Sequence, residues 1–151
     1  MPFDSYAVIN SQIQIASHTL PSSEQIQIGG LDSVRGYPEG EYLADAGGNV
    51  NFDWVLPMYL IPKDWKLPNS DRSLRHQIEP VFFFAAGGGK LKKVLPGEKR
   101  DRMLLGFGGG LRINLFKATS LRLEWAGHMG GNRPIGGSGP STFYFTFQSE
   151  I

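Results

Sequence analysis

Cysteine is absent from this sequence, and charged residues are few. Without thiols, the chain has no disulfide scaffold, no thiolate zinc site and no cysteine nucleophile. Its 15 basic and 14 acidic residues nearly cancel, which leaves no broad basic field for nucleic acid or acidic lipid. Charged residues occupy 19% of the 151 positions, whereas a typical soluble domain has about 25%. The length predicts a single domain.

Long hydrophobic runs are also missing. A membrane-spanning helix needs about 20 mostly apolar residues, and the longest such stretch near the middle of the chain, residues 80–89, is about half as long. A membrane-spanning strand needs only about 9–11 residues with every second one apolar, which is compatible with the mean hydropathy of −0.21. Residues 1–4 show no signal peptide, which an outer-membrane protein needs, so we expect the chain to be a fragment.

Catalytic and metal-binding patterns are missing as well. His18, His76 and His128 are isolated and lack the spacing of metal ligands. The glycine-rich run 106–110 is followed by Leu111 and a predicted strand, whereas a phosphate-binding loop requires a helix there. The sequence therefore predicts no enzyme, no metal site and no cofactor.

Glycine and aromatic residues are abundant instead. The chain has 20 glycines, and aromatic residues make up 12% of it, a composition that suits strands and turns. Apolar and polar residues alternate in six segments, and a period of two is typical of β-strands with two different faces. Turn-forming residues connect these segments. The predicted strands cover residues 6–17, 50–60, 78–86, 102–116, 120–128 and 142–151.

These strands predict an all-β, antiparallel fold, for which two architectures stay open. In a soluble β-sandwich the apolar faces would pack against a second layer, whereas in a transmembrane β-barrel they would face lipid. The sequence contains no second set of strands that could cover six long apolar faces, so we favour the barrel. Ten large side chains are then expected on the lipid-facing surface: Phe52, Trp54, Met58, Leu105, Phe107, Leu123, Trp125, Phe143, Phe145 and Phe147.

The long insertion between the first two strands carries the most specific motif. It reads LPSSEQIQIGGLDSVRGY over residues 20–37 and PEGEYLAD over residues 38–45. This segment resembles the signature loop of an outer-membrane superfamily that includes the BamA-type insertases and the FhaC/ShlB-type two-partner secretion transporters. It is most similar to the haemolysin secretion/activation branch. The motif residues are Val34, Arg35, Gly36 and Tyr37.

The resemblance implies the fold and the location of the chain. Members of the superfamily carry periplasmic POTRA domains followed by a 16-stranded β-barrel in the bacterial outer membrane. The six predicted strands correspond to the last six of such a barrel, so residues 1–151 are expected to be its C-terminal part. The loop at 19–48 is expected to fold back into the barrel lumen.

By resemblance, Arg35 lies at the tip of this loop and pairs with an acid on the inner wall. The family's next strand carries a glutamate four residues before a proline, and Asp53 occupies that position. Alternation also points Asp53 into the lumen. The following strand usually carries an F-x-D-x-G pattern, whose aspartate is replaced here by Ala85. Asp53 is thus the first expected partner of Arg35, and Glu79 and Glu124 are the next candidates.

Gly106, Gly108 and Gly110 share the inner face of the fourth predicted strand. Where side chains are missing, another backbone can approach closely, so we interpret these glycines as a floor on which the loop tip lies. In the alternative interpretation, they only allow the strand to bend and twist.

The resemblance also implies function. The whole protein would export a secreted polypeptide partner, a haemolysin or an adhesin, across the outer membrane. Two other functions stay open at this point. One is a BamA/TamA-like insertase that assembles β-barrel proteins, and the other is the barrel domain of a patatin-like hydrolase whose catalytic domain lies upstream.

Two segments indicate further partners. Residues 143–151 resemble the C-terminal strand by which the barrel-assembly machinery recognises its substrates, although Ile151 replaces the usual aromatic residue. A basic cluster after the third predicted strand either binds lipopolysaccharide phosphates among the outer-membrane lipids or forms a plain solvated loop. This cluster comprises Lys90, Lys92, Lys93, Lys99 and Arg100.

Overall fold

The protein is built from β-strands. The computed structural model describes residues 5–59, 61–62, 64–66, 74, 77–116, 119–129, 134 and 139–149. None of these described residues belongs to a helix of the length and apolar character needed to cross a membrane. The strands, numbered in chain order, are β1 (Tyr6–Gln14), β2 (Ile26–Ile28), β3 (Tyr42–Ala44), β4 (Ala46–Val55), β5 (Ile78–Lys90), β6 (Asp101–Phe116), β7 (Thr119–His128) and β8 (Ser141–Ser149).

Six strands form one antiparallel sheet in the order β1-β4-β5-β6-β7-β8. Neighbours in the sheet are also neighbours in the chain, except that the β2–β3 hairpin is inserted between β1 and β4. β1 and β8 lie at opposite edges, so the described strands form an open sheet. The prediction of an all-β, antiparallel fold is confirmed, and the sheet is consistent with part of a β-barrel.

The two faces of the sheet differ in their surroundings. On the inner face, side chains such as Val81, Phe83 and Leu104 are buried. On the outward face no second layer covers the described residues, and the exposed side chains include Phe82 and Phe84. This is the pattern of a lipid-facing surface and not of a sandwich. Eight of the ten residues expected there are exposed, namely Phe52, Trp54, Phe107, Leu123, Trp125, Phe143, Phe145 and Phe147, while Met58 and Leu105 are half-buried.

The apolar core lies between the inner face and the insertion. Ile28, Val34 and Tyr37 of the insertion are fully buried, and they pack in one cluster with Ala85 of β5 and Leu104 of β6. The segment predicted as one long loop therefore contains a hairpin and supplies six of the nine buried residues of this cluster. Its strands have three residues each, too few for a period of two to show in the sequence.

The strand bounds differ most from the sequence prediction at two glycine-rich segments, and β1 also ends at Gln14, three residues before the predicted end at residue 17. β4 begins four residues earlier than predicted, and β5 extends four residues further. Across these extensions Gly47 pairs with Gly89 and Gly48 with Gly88, so glycines interpreted as turn formers belong to the ladder. β4 ends before the predicted residue 60 because Pro57 has no N–H to donate. Residues 150–151 of the last predicted strand lie outside the described residues.

Candidate functional site

The insertion places the VRGY motif on the inner face of the sheet. Its β2–β3 hairpin contacts β4 and β5. Gly29 and Gly30 turn the chain after β2 with φ angles of 114° and 103°, which glycine adopts without strain. The Ser33 hydroxyl accepts a hydrogen bond from the Gly29 N–H at 3.2 Å and so stabilises this turn. The motif, residues 34–37, is buried throughout, and we call it the tip of the loop.

Arg35 contacts two carboxylates on different strands. Its Nη2 contacts Oδ1 of Asp53 on β4, and its Nη1 lies 3.3 Å from Oε2 of Glu124 on β7. All three side chains are at most 6% exposed, so water and salt screen their charges little. A buried guanidinium needs such acceptors because burial removes its hydration. The pairing joins the tip to two strands that are not neighbours in the sheet.

Two more arginines surround the same carboxylates. Nη2 of Arg112 donates to Oδ2 of Asp53 at 2.7 Å. Nε of Arg122 donates to Oε1 of Glu124, and Nη2 of Arg122 lies 3.9 Å from Oδ2 of Asp53. These two arginine side chains are 24% and 30% exposed, so they lie at the more open side of the cluster. Three guanidinium groups therefore share two buried carboxylates.

Glu79 occupies a different position in the same region. It lies opposite Arg112 in the β5–β6 ladder, and it accepts a hydrogen bond from the Tyr6 hydroxyl at 3.5 Å. The carboxylates that the described structure brings to Arg35 are those of Asp53 and Glu124. Glu79 thus adds a third acid next to Arg112, at the start of β5.

Aromatic and apolar side chains cover the rest of the Arg35 side chain. Its Cζ lies 3.9 Å from the centroid of the Phe83 ring, a cation–π geometry that favours the buried charge. The Nε atom of Arg35 is buried without an acceptor among the described residues. Ala85, which stands where the family pattern has an aspartate, packs in the apolar cluster with Val34 and Leu104. The two acids that contact Arg35 therefore come from β4 and β7, while β5 contributes the Phe83 ring and the methyl group of Ala85.

Missing side chains let the tip lie directly on the sheet at two places. A Cβ atom at position 106 would overlap the carbonyl oxygen of Arg35, so Gly106 supports the backbone of the tip. Gly36 has a φ of 97°, and a Cβ atom there would lie 2.8 Å from the Gly127 carbonyl oxygen on β7. Any larger residue at either position would push the tip away from the wall.

Gly108 and Gly110 have other neighbours. The atoms nearest to a Cβ at position 108 belong to β7 and to the Phe83 ring, and those at position 110 belong to Leu123 and Glu124 of β7. At these two positions the geometry corresponds to the alternative interpretation, in which glycine serves the packing of neighbouring strands. Of the three glycines, Gly106 is the one that meets the loop backbone.

The last strand also contacts the tip. The Tyr144 hydroxyl on β8 donates to the Tyr37 carbonyl oxygen at 3.2 Å and accepts from the Gly36 N–H at 3.1 Å. The Tyr37 hydroxyl accepts from the Leu105 N–H at 3.5 Å, and burial raises the pKa of this hydroxyl, which keeps it neutral. The tip therefore contacts β4, β6, β7 and β8.

A second set of contacts holds the base of the loop, which we define as the β2–β3 hairpin with Glu41 and Asp45. Nη1 of Arg102 on β6 lies 3.0 Å from Oε1 of Glu41, and the two side chains are only 2% and 4% exposed. The Tyr42 hydroxyl donates to the Arg100 carbonyl oxygen at 2.9 Å. The base is thus bound to β6 and to the connection that precedes it.

Asp45 joins three segments at this base. Its Oδ1 accepts from the Gln25 amide at 3.0 Å and from the Leu20 N–H at 2.8 Å, and its Oδ2 accepts from the Lys92 N–H at 2.7 Å. These bonds, that of Gln25 above all, hold the pKa of the Asp45 carboxyl below its usual value because they stabilise the charged form. The carboxylate links both ends of the loop to the β5–β6 connection.

The part of the chain that forms the loop and its wall also carries a family signature. The sequence model of the haemolysin secretion/activation proteins ShlB/FhaC/HecB matches residues 8–112. The chain belongs to this family. No curated protein and no solved structure matches it. The ShlB/FhaC/HecB family consists of outer-membrane secretion transporters and not of enzymes, and the matched range holds the tip, Asp53 and the glycines of β6.

Four residues of the site in this ShlB/FhaC/HecB chain were not predicted from the sequence: Phe83, Arg112, Arg122 and Tyr144. Each lies on the polar or inward side of an alternating strand, so the alternation was a usable signal, but it does not say which acid a given arginine meets. Among the described residues, no group of acidic and histidine side chains is arranged to hold a metal ion.

Proposed function

We propose that the protein exports a haemolysin- or adhesin-like polypeptide across the outer membrane, as a transporter of the two-partner secretion type. The observation that carries the proposal is the buried pairing of Arg35 with Asp53 and Glu124. It seats the loop on the inner face of the sheet, along which an exported chain would pass. The family assignment supports secretion over barrel insertion and hydrolysis.

The arginine-rich cluster suits a tip that has to leave its seat. When buried ion pairs separate into water, each charge regains hydration that burial had removed. The carboxylates also keep a partner, since Asp53 stays paired with Arg112 and Glu124 with Arg122. Withdrawal of Arg35 therefore leaves two neutral pairs on the wall and no bare carboxylate. A wall with a single acid and no second arginine would resist withdrawal much more strongly.

The outward face and the last strand support the membrane part of the proposal. Phe143, Phe145 and Phe147 are 60–80% exposed and alternate along β8, which is an edge strand of the described sheet. Such an edge has unpaired backbone groups that have to be paired before the strand lies in lipid. We propose that the outward face contacts outer-membrane lipid and that β8 is recognised by the barrel-assembly machinery.

Secretion of a co-expressed haemolysin-like partner from the same genome tests the proposal. In the whole protein, Arg35→Ala should lower the amount of partner in the medium by more than about tenfold, because both wall acids lose their contact with the tip. The variant should keep the heat-modifiable gel mobility of an assembled barrel. Arg35→Lys keeps the charge but cannot contact both acids with two separate nitrogen atoms of one planar group. Its secretion should therefore lie between that of the unchanged protein and that of Arg35→Ala.

Asp32→Asn is the matched control for this experiment. Asp32 is an exposed acid of the same loop, and its substitution should leave secretion unchanged. The proposal is wrong if Arg35→Ala assembles and secretes as well as the Asp32→Asn control does. It is also wrong if the two variants lose secretion equally, because the loss would then not depend on the buried pairing.

A further inference from the structure

The outward face of the sheet carries a groove that polypeptide export does not explain. This open groove of about 1190 Å³ crosses β1, β4, β5 and the start of β6. It lies at the end of the strands where the connection between β5 and β6 leaves the sheet. Its floor consists of small residues on the outward side of β4 and β5: Ala46, Gly48, Ala86 and Gly88.

Exposed apolar side chains form the walls of the groove. Ile13 and Ile15 on the β1 side are 77% and 87% exposed, and Met103 on the β6 side is 57% exposed. The volume exceeds the range of about 300–1,000 Å³ that is usual for pockets of compact ligands. An open groove with small residues on its floor and apolar side chains on its walls can accommodate flexible hydrocarbon chains.

The rim of the groove is basic. Lys90, Lys99 and Arg100 line it and are exposed. Asp101 also lines it as the one carboxylate of the lining, and it lies opposite Lys90 in the β5–β6 ladder. The exposed charged residues of the lining are three basic and one acidic, whereas the whole chain has a net charge of only +1. The positive charge of the chain is therefore concentrated at this end of the groove.

Hydrocarbon walls next to a basic rim are complementary to a phosphorylated lipid. We propose that the groove binds the lipid A part of lipopolysaccharide, with its acyl chains over the small-residue floor and its phosphates at Lys90, Lys99 and Arg100. The proposal rests on the outer-membrane location of the family and on the end of the sheet at which the insertion and the connections 91–100 and 129–140 lie. Longer barrel connections face outward as a rule, and three of the five connections lie at this end, although the connection 56–77 at the opposite end is also long. Lipid A is the phosphorylated lipid of the outer leaflet of that membrane, which the outward-facing connections adjoin.

Binding of purified lipid A by the whole protein in phosphatidylcholine vesicles tests the charge at the rim. The Lys99→Glu/Arg100→Glu variant should bind lipid A at least about tenfold more weakly, because basic residues near a membrane surface contribute substantially to the binding of anionic lipid. Lys92→Glu/Lys93→Glu is the matched control, since these lysines belong to the same exposed connection but do not line the groove. It changes the net charge by the same amount and should bind lipid A as the unchanged protein does.

A second pair of variants tests the slot itself. Ala86→Trp fills the floor and should also weaken lipid A binding at least about tenfold, whereas Leu123→Trp places the same ring on the outward face of β7 and should not. Heat-modifiable mobility confirms that each variant is assembled. Vesicles with phosphatidylglycerol instead of lipid A should bind at least about tenfold more weakly. Equal losses in both double variants, an unchanged Ala86→Trp, or equal binding of phosphatidylglycerol would each overturn the proposal.

Discussion

The tip and the base of the loop lie on the same face of the sheet and both contact β4, β5 and β6, but the tip also reaches β7 and β8. The base is held by β5, β6 and their connection, through the apolar cluster, the Arg102–Glu41 pair and Asp45. The tip reaches further, to Asp53 on β4, Glu124 on β7 and Tyr144 on β8. The base is thus anchored near the connection between β5 and β6, while the tip also joins strands on the far side of the sheet.

The type of interaction differs in the same way. At the base, Ile28 and Ala44 are fully buried in the apolar cluster. Exposing them to water would lose the free energy of apolar burial, and no favourable hydration would offset this loss. At the tip, Val34 and Tyr37 are buried in the same cluster, but the buried charges of Arg35 and its two acids regain hydration when they part. The comparison indicates a fixed base and a releasable tip, and the following four substitutions test it in order of expected effect.

Asp53→Asn should have the largest effect, and it should act on the tip. The substitution removes the carboxylate that contacts Arg35, Arg112 and Arg122, and breaking a buried pair in this way costs roughly 3–5 kcal/mol. Hydrogen–deuterium exchange of the whole protein should show lost protection at residues 33–37 and unchanged protection in β2 and β3. Loss of protection in both regions would mean that tip and base form one unit.

Ile28→Ala should loosen the base by about 2–5 kcal/mol, because it leaves a cavity in the apolar cluster. Ile28 is fully buried there. We expect exchange to increase in β2 and β3 and then also at the tip, since the tip depends on a seated hairpin. Exposed Ile13→Ala on β1 is a suitable control and should leave exchange of the loop unchanged. An effect confined to the tip would reverse the comparison.

Asp45→Asn should cost about 1.5–3 kcal/mol, the contribution of hydrogen bonds to a charged group. An asparagine would turn an N–H toward one of the donors that Asp45 now satisfies. The pKa of the Asp45 carboxyl is lowered by folding, so its contribution is complete above the unfolded pKa of about 3.9 and disappears as the pH falls through the folded pKa. Loop protection measured between neutral and acidic pH should therefore fall less in Asp45→Asn than in the unchanged protein. An equal pH dependence would show that Asp45 does not contribute.

Tyr144→Phe should have the smallest effect, about 0.5–1.5 kcal/mol, because it removes the hydroxyl that bonds to Gly36 and Tyr37 and leaves the ring in place. Exchange of the Gly36 N–H should increase while β2 and β3 stay protected. Phe143→Leu on the outward face of the same strand is the control. An unchanged Gly36 N–H would show that β8 does not help to hold the tip.

The sheet could be predicted from the sequence because each of its strands has one apolar and one polar face. The same signal fails at Gly47, Gly48, Gly88 and Gly89, since glycine has no side chain that could reveal a face. Those positions pair within the ladder in the structure. The β2–β3 hairpin was also missed, because its strands are short and both of their ends are buried.

The site could be predicted only in part for a different reason. The resemblance named Arg35 and Asp53, and the structure brings them together. That Glu124 joins them while Glu79 lies beside Arg112 depends on the register of four strands, which alternation alone does not give. The functional role of this pairing stays a prediction until secretion is measured.

The positions of Asp53 and Glu124 also carry information about the diameter of the barrel. Their strands are three inter-strand spacings apart, which is about 14 Å across a flat sheet. One guanidinium nevertheless touches both, because the Asp53 and Glu124 side chains reach toward each other across the inner face and Arg35 lies between them. Curvature in a closed barrel follows from strand number and tilt. A flatter wall would turn the two inward-pointing acids away from each other, so the double contact of Arg35 depends on the curvature of the wall as well as on the register of its strands.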